Sequence, residues 1–204
     1  MVSVSLISAI LWWATAATPA AAVACAIPTT PEATVNFSEA FQKTVFDWEG
    51  GDRLHNVPGD PGGLTKYGIS QRAYPALRIA SLTESAAKDI YHGDYWRPLR
   101  VGELPDALRW DVFDFGVNAG LRRSAVALQR AINHCRGARG YPEIATDGQI
   151  GPRTISAAQG LPALRLLRVF RAVRTQHYMI LADRGMEKFL EGWLDRVDGT
   201  AGNA

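Results

Sequence analysis

Apolar residues recur every three to four positions along much of this 204-residue chain, the spacing at which they line one face of an α-helix. The first such segment begins after Asn36, a favourable helix cap, and Glu39 stands three positions later to complete a capping box. Gly50 and Gly51 mark its end, because glycine commonly follows a last helical turn. Its apolar positions step by four residues: Phe37, Phe41 and Val45. The pattern predicts an amphipathic helix with one buried face.

The rest of the chain repeats the helical spacing, except for residues 52–70. That segment is rich in proline and glycine, which predicts a tight loop or a small hairpin. A loop is also expected over 136–152, with Pro152 early in the next helix and Thr154 in a capping role. Further helices are predicted from a Thr83 cap to about Trp96, from a Ser124 cap, from Leu161 to Asp183, and around Phe189 to Leu194. Another is predicted after Pro105, with Leu108, Val112 and Phe115 facing inward. The fold class is therefore mainly α with a small β element.

The N-terminal segment differs in composition from the helical part of the chain. Residues 1–31 carry no charged side chain, and an apolar run leads to an Ala-x-Ala pattern at Ala22 to Ala24. This pattern predicts a signal peptide over 1–26, followed by a linker over 27–35. Since the positive start of a signal peptide is missing, an uncleaved signal-anchor with transient membrane association is the alternative. The expected location is the periplasm or the outside of the cell.

Composition restricts the partners of the chain. The net charge is +2, 47% of residues are hydrophobic and 21% are charged, which is ordinary for a globular protein. Runs of Lys or Arg typical of nucleic-acid-binding arms are missing, so we expect no nucleic-acid partner, and we expect a monomer. The cysteines, Cys25 and Cys135, do not form a disulfide framework if Cys25 leaves with the signal. The four histidines lack metal-ligand spacing, so neither metal nor cofactor is expected.

Four arginines step by three along the long predicted helix: Arg165, Arg168, Arg171 and Arg174. The first interpretation of this stripe is a solvated helix face. The alternative is contact with anionic wall polymers or lipid headgroups.

Glu49 is the strongest candidate for chemistry, because it continues the buried line of the first helix by one more step of four. Burial and the negative end of the helix dipole both disfavour an ionised carboxylate. A carboxyl group that stays protonated can act as a general acid on a glycosidic oxygen. The alternatives are a solvated helix-end glutamate and a salt bridge to Arg53.

The glycine-rich loop supplies candidate partners for Glu49. Asp60, Thr65 and Tyr67 come soon after it, in a segment that can fold back over the helix end. Glycoside hydrolysis needs a second carboxylate and a positioned water, which Asp60 and the Thr65 hydroxyl can provide. The alternative interpretation of residues 60–63 is a plain turn.

Six stretches resemble glycoside hydrolase family 108, the bacterial and phage N-acetylmuramidases. They are Trp48 to Gly51, Asp60 to Ser70, Tyr95 to Pro98, Phe113 to Gly120, Leu128 to Ala131 and Asp147 to Thr154. The last two look like the peptidoglycan-binding region of that family. The order Glu49, Asp60, Thr65 is also similar to that of phage T4-type lysozymes.

The resemblance implies a lysozyme-like catalytic region over 36–110, a helical peptidoglycan-binding region over 111–197 packed with it as one unit, and a flexible tail over 198–204. Glu49 is then the catalytic acid, with Asp60 and Thr65 beside it and Asp52 as a rival second carboxylate. Residues assigned to substrate binding are Tyr67, Tyr95, Trp96 and Asn118, although an aromatic cluster is more often core.

The function expected on these grounds is hydrolysis of the β-1,4 bond between N-acetylmuramic acid and N-acetylglucosamine, with peptidoglycan glycan strands as the partner. A lytic transglycosylase acting on the same bond is one alternative, since it also needs an acidic glutamate. A non-catalytic peptidoglycan-binding protein is the other.

Overall fold

Seven α-helices and one hairpin account for most of the residues that the computed structural model describes, 35–56 and 62–199, which confirms the predicted fold class. The helices are α1 (Phe37–Trp48), α2 (Glu84–Tyr91), α3 (Asp106–Ala119), α4 (Leu121–Gly137), α5 (Pro152–Gln159), α6 (Ala163–Leu181) and α7 (Leu190–Asp198). Strands β1 (Thr65–Lys66) and β2 (Ile69–Ser70) pair antiparallel, with Thr65 opposite Ser70. Shorter helical turns lie at Ile79–Ser81, His92–Trp96, Val101–Glu103, Ala182–Met186 and Glu187–Phe189.

Helix α1 forms as its sequence predicts. The Asn36 side chain accepts a hydrogen bond from the backbone N–H of Glu39, and the Glu39 carboxylate accepts one from that of Asn36. Phe41 and Val45 are fully buried, so the apolar line faces the core. The helix therefore delivers Glu49, the residue that caps its C-terminus, to the edge of the packed interior.

Helix α3 is the central element, packed against α1, α4 and α6. Its predicted inward positions, Leu108, Val112 and Phe115, are all buried. Asp111 and Asp114 are buried on the same helix. Because a buried charge is costly unless it is paired, these two carboxylates require cationic partners.

Two predicted helix caps are wrong. Helix α4 begins at Leu121 directly after Gly120, whose φ of +95° turns the chain out of α3. Ser124 therefore lies inside α4, where its hydroxyl donates to the Val112 carbonyl at 2.7 Å. Helix α5 is capped by Gly151 with Pro152 as its first residue, so the prediction for Pro152 is confirmed. Thr154 is buried within α5 instead of capping it.

Some predictions lie outside the described residues. They are the leader at 1–26, the linker up to residue 34, Asp60, and residues 200–204 of the tail. Among the helices of the described part of the chain, none is long and apolar enough to cross a membrane.

Candidate active site

Glu49 sits at the C-terminal end of α1, where the chain turns sharply away. Its backbone N–H donates to the Val45 carbonyl, and so does that of Gly51, at 2.9 Å. Gly50 and Gly51 have φ values of +83° and +57°, which side chains rarely adopt. The Glu49 side chain keeps 25% of its surface exposed, so solvent or a ligand can reach a carboxylate anchored at the edge of the core.

An arginine from the other end of the chain holds this carboxylate. Nη2 of Arg196, on α7, donates to Oε1 of Glu49 at 2.8 Å, whereas the sequence had offered Arg53 as the partner. The same guanidinium donates through Nε to both oxygens of Asp114 at 3.0 Å. Burial lowers the pKa of Arg196, but the charges of Asp114 and Glu49 outweigh it and raise the pKa. Arg196 is therefore a permanent cation bridging the two carboxylates.

Asp114 anchors this arrangement from inside the core. It has no exposed surface and also accepts a hydrogen bond from Nη2 of the fully buried Arg174 at 2.6 Å. The Thr44 hydroxyl donates to it at 3.2 Å and accepts in turn from the Trp110 indole. With partners on several sides, the position of Asp114 is fixed, and through Arg196 so is that of Glu49.

The hairpin packs directly on Glu49. At Gly68, in the turn between β1 and β2, an added Cβ would stand 2.8 Å from Cβ of Glu49 and 2.7 Å from the Tyr91 hydroxyl. That hydroxyl donates to the Tyr67 carbonyl at 2.9 Å, and the Tyr67 N–H donates to the Gly51 carbonyl. Hydrogen bonds on both sides thus seat the hairpin turn against the carboxylate.

Two tyrosines lie within the electrostatic influence of Glu49. Burial raises the pKa of Tyr91, and the charge of Glu49 raises it further. The pKa of Tyr95 is likewise raised by burial, then by Asp94 and Glu49. Tyr95 is half-buried with its ring 5.6 Å from that of Tyr91, so it fits its predicted place beside the site.

Trp96 does not suit the predicted contact with sugar. It is buried, and its ring meets those of Phe37 at 5.4 Å and Phe113 at 5.6 Å. A ring enclosed by core residues presents no open face to a ligand, so the core interpretation fits this position.

Thr65 and Asp52 lie on the loop side of the site. Thr65 pairs through its backbone with His55 and Ser70, and its hydroxyl donates to the Gly63 carbonyl at 3.1 Å. Asp52 is exposed and close enough for its charge, after burial, to raise the pKa of Tyr67. Thr65 is therefore part of the hairpin, and Asp52 lies near it.

Asn118 is exposed on α3, at the far end of the buried polar network. Its Oδ1 accepts a hydrogen bond from the Tyr178 hydroxyl at 2.7 Å, and that hydroxyl accepts from Nε of Arg174 at 3.1 Å. Asn118 is thus linked to Asp114 through two residues of α6. Its predicted contact with substrate stays a prediction.

Comparisons with known proteins identify two family domains along the chain. Residues 42–120 match the family described as Glycosyl hydrolase 108, and residues 123–198 match the one described as Predicted Peptidoglycan domain. The chain carries a glycosyl hydrolase 108 domain followed by a peptidoglycan-binding domain. This combination makes it a cell-wall hydrolase.

One solved structure supports the fold of both domains together. SagA of Brucella abortus is 23% identical and superposes with a TM-score of 0.58, over 82% of this chain and 97% of its own. No curated protein matches the chain.

The two domains share the site. Glu49 and Asp114 belong to the glycosyl hydrolase 108 domain, while Arg174, Tyr178 and Arg196 belong to the peptidoglycan-binding domain. The cations that pair with the buried Asp114 and with Glu49 therefore come from outside the hydrolase domain.

Sequence reasoning missed Asp114 and Arg196. Asp114 carried a signal, since it lies among the apolar residues of the run Trp110 to Phe115, where a carboxylate must be buried with a partner. Arg196 carried none, because it lies 147 positions from Glu49. Within the described residues, no group of His, Cys, Asp and Glu is arranged to hold a metal ion.

Proposed function

We propose that this cell-wall hydrolase is an N-acetylmuramidase, which adds water across the β-1,4 bond between N-acetylmuramic acid and N-acetylglucosamine. Glu49 is its general acid. The observation that supports this proposal is the placement of Glu49, a partly exposed carboxyl group held between the Arg196 guanidinium and the hairpin turn at Gly68.

The hydrogen bond from Arg196 occupies Oε1, one of the two carboxylate oxygens of Glu49. Arg196 donates to Oε1, so the proton of the acid form belongs on Oε2, from which it can pass to the oxygen of the leaving sugar. As that proton leaves, negative charge grows on the Glu49 carboxylate. The adjacent guanidinium stabilises this charge without moving, which favours the transition state.

The hydrolysis also needs a group that activates water or stabilises the sugar cation. We propose Asp60 for this role, with Thr65 positioning the water, and Asp52 as the competing carboxylate. Asp60→Asn should lower turnover far more than Asp52→Asn, measured as the initial rate of wall clearing. The reverse ranking would move the role to Asp52.

We further propose that the protein acts outside the cytoplasm, in the periplasm or after secretion, because its substrate lies there. The uncharged, alanine-rich residues 1–26 support export. N-terminal sequencing of protein from its native host should find a start near Cys25 or Ala26, and a full-length cytoplasmic protein would contradict the proposal.

Mass spectrometry of muropeptides released from purified sacculi tests the reaction itself. A muramidase yields fragments that end in reducing N-acetylmuramic acid, whereas a lytic transglycosylase yields the anhydro form, one water lighter. Fragments ending in reducing N-acetylglucosamine would show cleavage of the other glycosidic bond. Binding without release of fragments would identify a non-catalytic wall-binding protein.

A further inference from the structure

A basic groove runs between α4 and α6, mostly within the peptidoglycan-binding domain. One part is a cavity of about 160 Å³ and the next a more open one of about 770 Å³, and both are lined by Arg130, Val173 and Gln176. Arg122, Arg123 and His177 line only the smaller part. His134, Arg165 and Arg168 line only the larger part. The groove thus carries cations on both of its walls.

The groove arginines differ from the others on α6. Arg171 donates to both oxygens of the buried Asp111, and Arg174 pairs with Asp114, so neither belongs to the solvated stripe that the sequence predicted. Arg165 and Arg168 are exposed and lack an ion pair with any other described residue, as do Arg122, Arg123 and Arg130. Helix α6 thus carries two arginines that pair with buried carboxylates and two whose charge is available to a ligand.

The positive charge of the groove is not neutralised within it, because neither cavity has an acidic residue in its lining. Burial lowers the pKa of His177, and the charges of Arg123 and Arg184 lower it further, which is the effect of a positive local potential. A concave surface lined by one sign of charge concentrates ligands of the opposite sign. The groove is therefore suited to an anion.

Its length suits a short extended chain. The groove spans positions 165 to 180 of α6, which at 1.5 Å per residue corresponds to roughly 22 Å. An extended peptide of five residues is about 17 Å long. Apolar side chains of Val169, Ala172 and Val173 lie between the cations and can contact such a chain. A bilayer is too flat to enter a groove with cations on both walls.

We infer that this groove binds the peptide stems of peptidoglycan through their free carboxylates. The inference rests on the proposed function, since it gives the peptidoglycan-binding domain the part of the polymer that the hydrolase does not cut. In this arrangement the groove holds stems while Glu49 acts on the glycan.

Binding of a free stem tetrapeptide to the full chain tests the inference by calorimetry, against the same peptide with its carboxylates amidated. We expect the acidic peptide to bind at least about tenfold more tightly, with an affinity that falls as salt is added. The combined substitution Arg130→Gln, Arg165→Gln and Arg168→Gln should weaken binding at least about tenfold. Arg78→Gln, an exposed arginine of the hydrolase domain outside the groove, is the matched control and should bind as wild type.

Equal binding by the triple variant and wild type would overturn the inference, as would a wild-type protein that does not distinguish the two peptides. The inference would also be overturned if the triple variant bound the tetrapeptide as wild type does but lost binding to vesicles containing phosphatidylglycerol. That result would assign the groove to lipid headgroups. The tetrapeptide has no glycosidic bond, so its binding does not depend on hydrolysis. The triple variant should cleave glycan strands stripped of stems at the wild-type rate. If wild type did not cleave these strands, the result would contradict the proposed muramidase function but not the inference about the groove.

Discussion

At the scale of single residues, the proposed chemistry depends on how Glu49 is held. Its position on the apolar line of α1 was predictable, because a helix that buries Phe41 and Val45 must carry a residue four positions later to the same edge. The sequence predicted that burial would keep the group protonated. The structure instead shows a quarter-exposed side chain paired with Arg196, so protonation during catalysis stays a prediction.

Gly68 is the residue whose substitution should disturb Glu49 most selectively. A Cβ at this position would stand under 3.0 Å from both Glu49 and the Tyr91 hydroxyl, so Gly68→Ala must push the hairpin turn away. We expect kcat for wall clearing to fall by about 10²-fold, since small displacements of catalytic groups have effects of that size.

Gly63→Ala is the matched control for this prediction. Gly63 has a φ of +69°, close to the +71° of Gly68, but a Cβ there meets no atom within 4 Å. Both variants should lose about 1 to 2 kcal/mol of unfolding free energy to backbone strain. Gly68→Ala should lose about 1 to 3 kcal/mol more to overpacking. Equal kcat for the two variants would show that the turn does not position Glu49.

At the scale of elements, the sequence predicted helix caps and turns correctly where they depend on residues close together in the chain. The capping box of α1, the Thr83 cap of α2 and the hairpin in the glycine-rich segment all formed as expected. Ser124 failed as a cap because Gly120 already separates α3 from α4, which left the serine hydroxyl to satisfy a buried carbonyl of α3. The role of α7 was not predictable, because its contact with Glu49 forms only when distant parts of the chain fold together.

Helix α7 acts on the site through Arg196, which Arg196→Lys tests. Lysine keeps the charge, but its single ammonium cannot reproduce the planar fork that bridges Asp114 and Glu49. We expect a lower unfolding temperature and a fall in kcat of about 10²-fold.

Arg171→Lys provides the comparison for this variant. Arg171 makes a similar two-point contact with a buried carboxylate of α3, Asp111, but without touching Glu49. Arg171→Lys should therefore lower the unfolding temperature and leave kcat close to that of wild type. A matching loss of kcat in both variants would mean that Arg196 contributes only stability.

At the scale of the whole molecule, the two family domains together form the ion-pair network around Glu49. The family match of the hydrolase domain ends at residue 120 of this chain. The cations that hold Asp114 and Glu49 nevertheless come from α6 and α7. The stacking of Tyr178 on Trp193, with ring centroids 5.1 Å apart, fixes α7 against α6. The peptidoglycan-binding domain therefore supplies cations to the candidate active site of the hydrolase domain.

Truncation measures this dependence. A chain ending at residue 189 lacks α7 and Arg196, and leaves the buried Asp114 with one cation fewer. It should unfold at a lower temperature and lose wall-clearing activity, whereas a chain ending at residue 199 keeps α7 and should match the full chain. Full activity of the shorter chain would contradict a shared site.

The most direct test of the account is the wall-clearing rate of Glu49→Gln. Glutamine keeps the shape, and its amide oxygen can still accept the hydrogen bond from Arg196, so the fold should hold. It has no proton to deliver, and general acid catalysis typically contributes about 10² to 10⁴-fold, so activity should fall by at least that lower factor. Asp47→Asn, an exposed carboxylate on the last turn of the same helix, is the control and should clear walls at the wild-type rate. A folded Glu49→Gln protein that clears walls as fast as wild type would contradict the assignment of Glu49 as the catalytic acid.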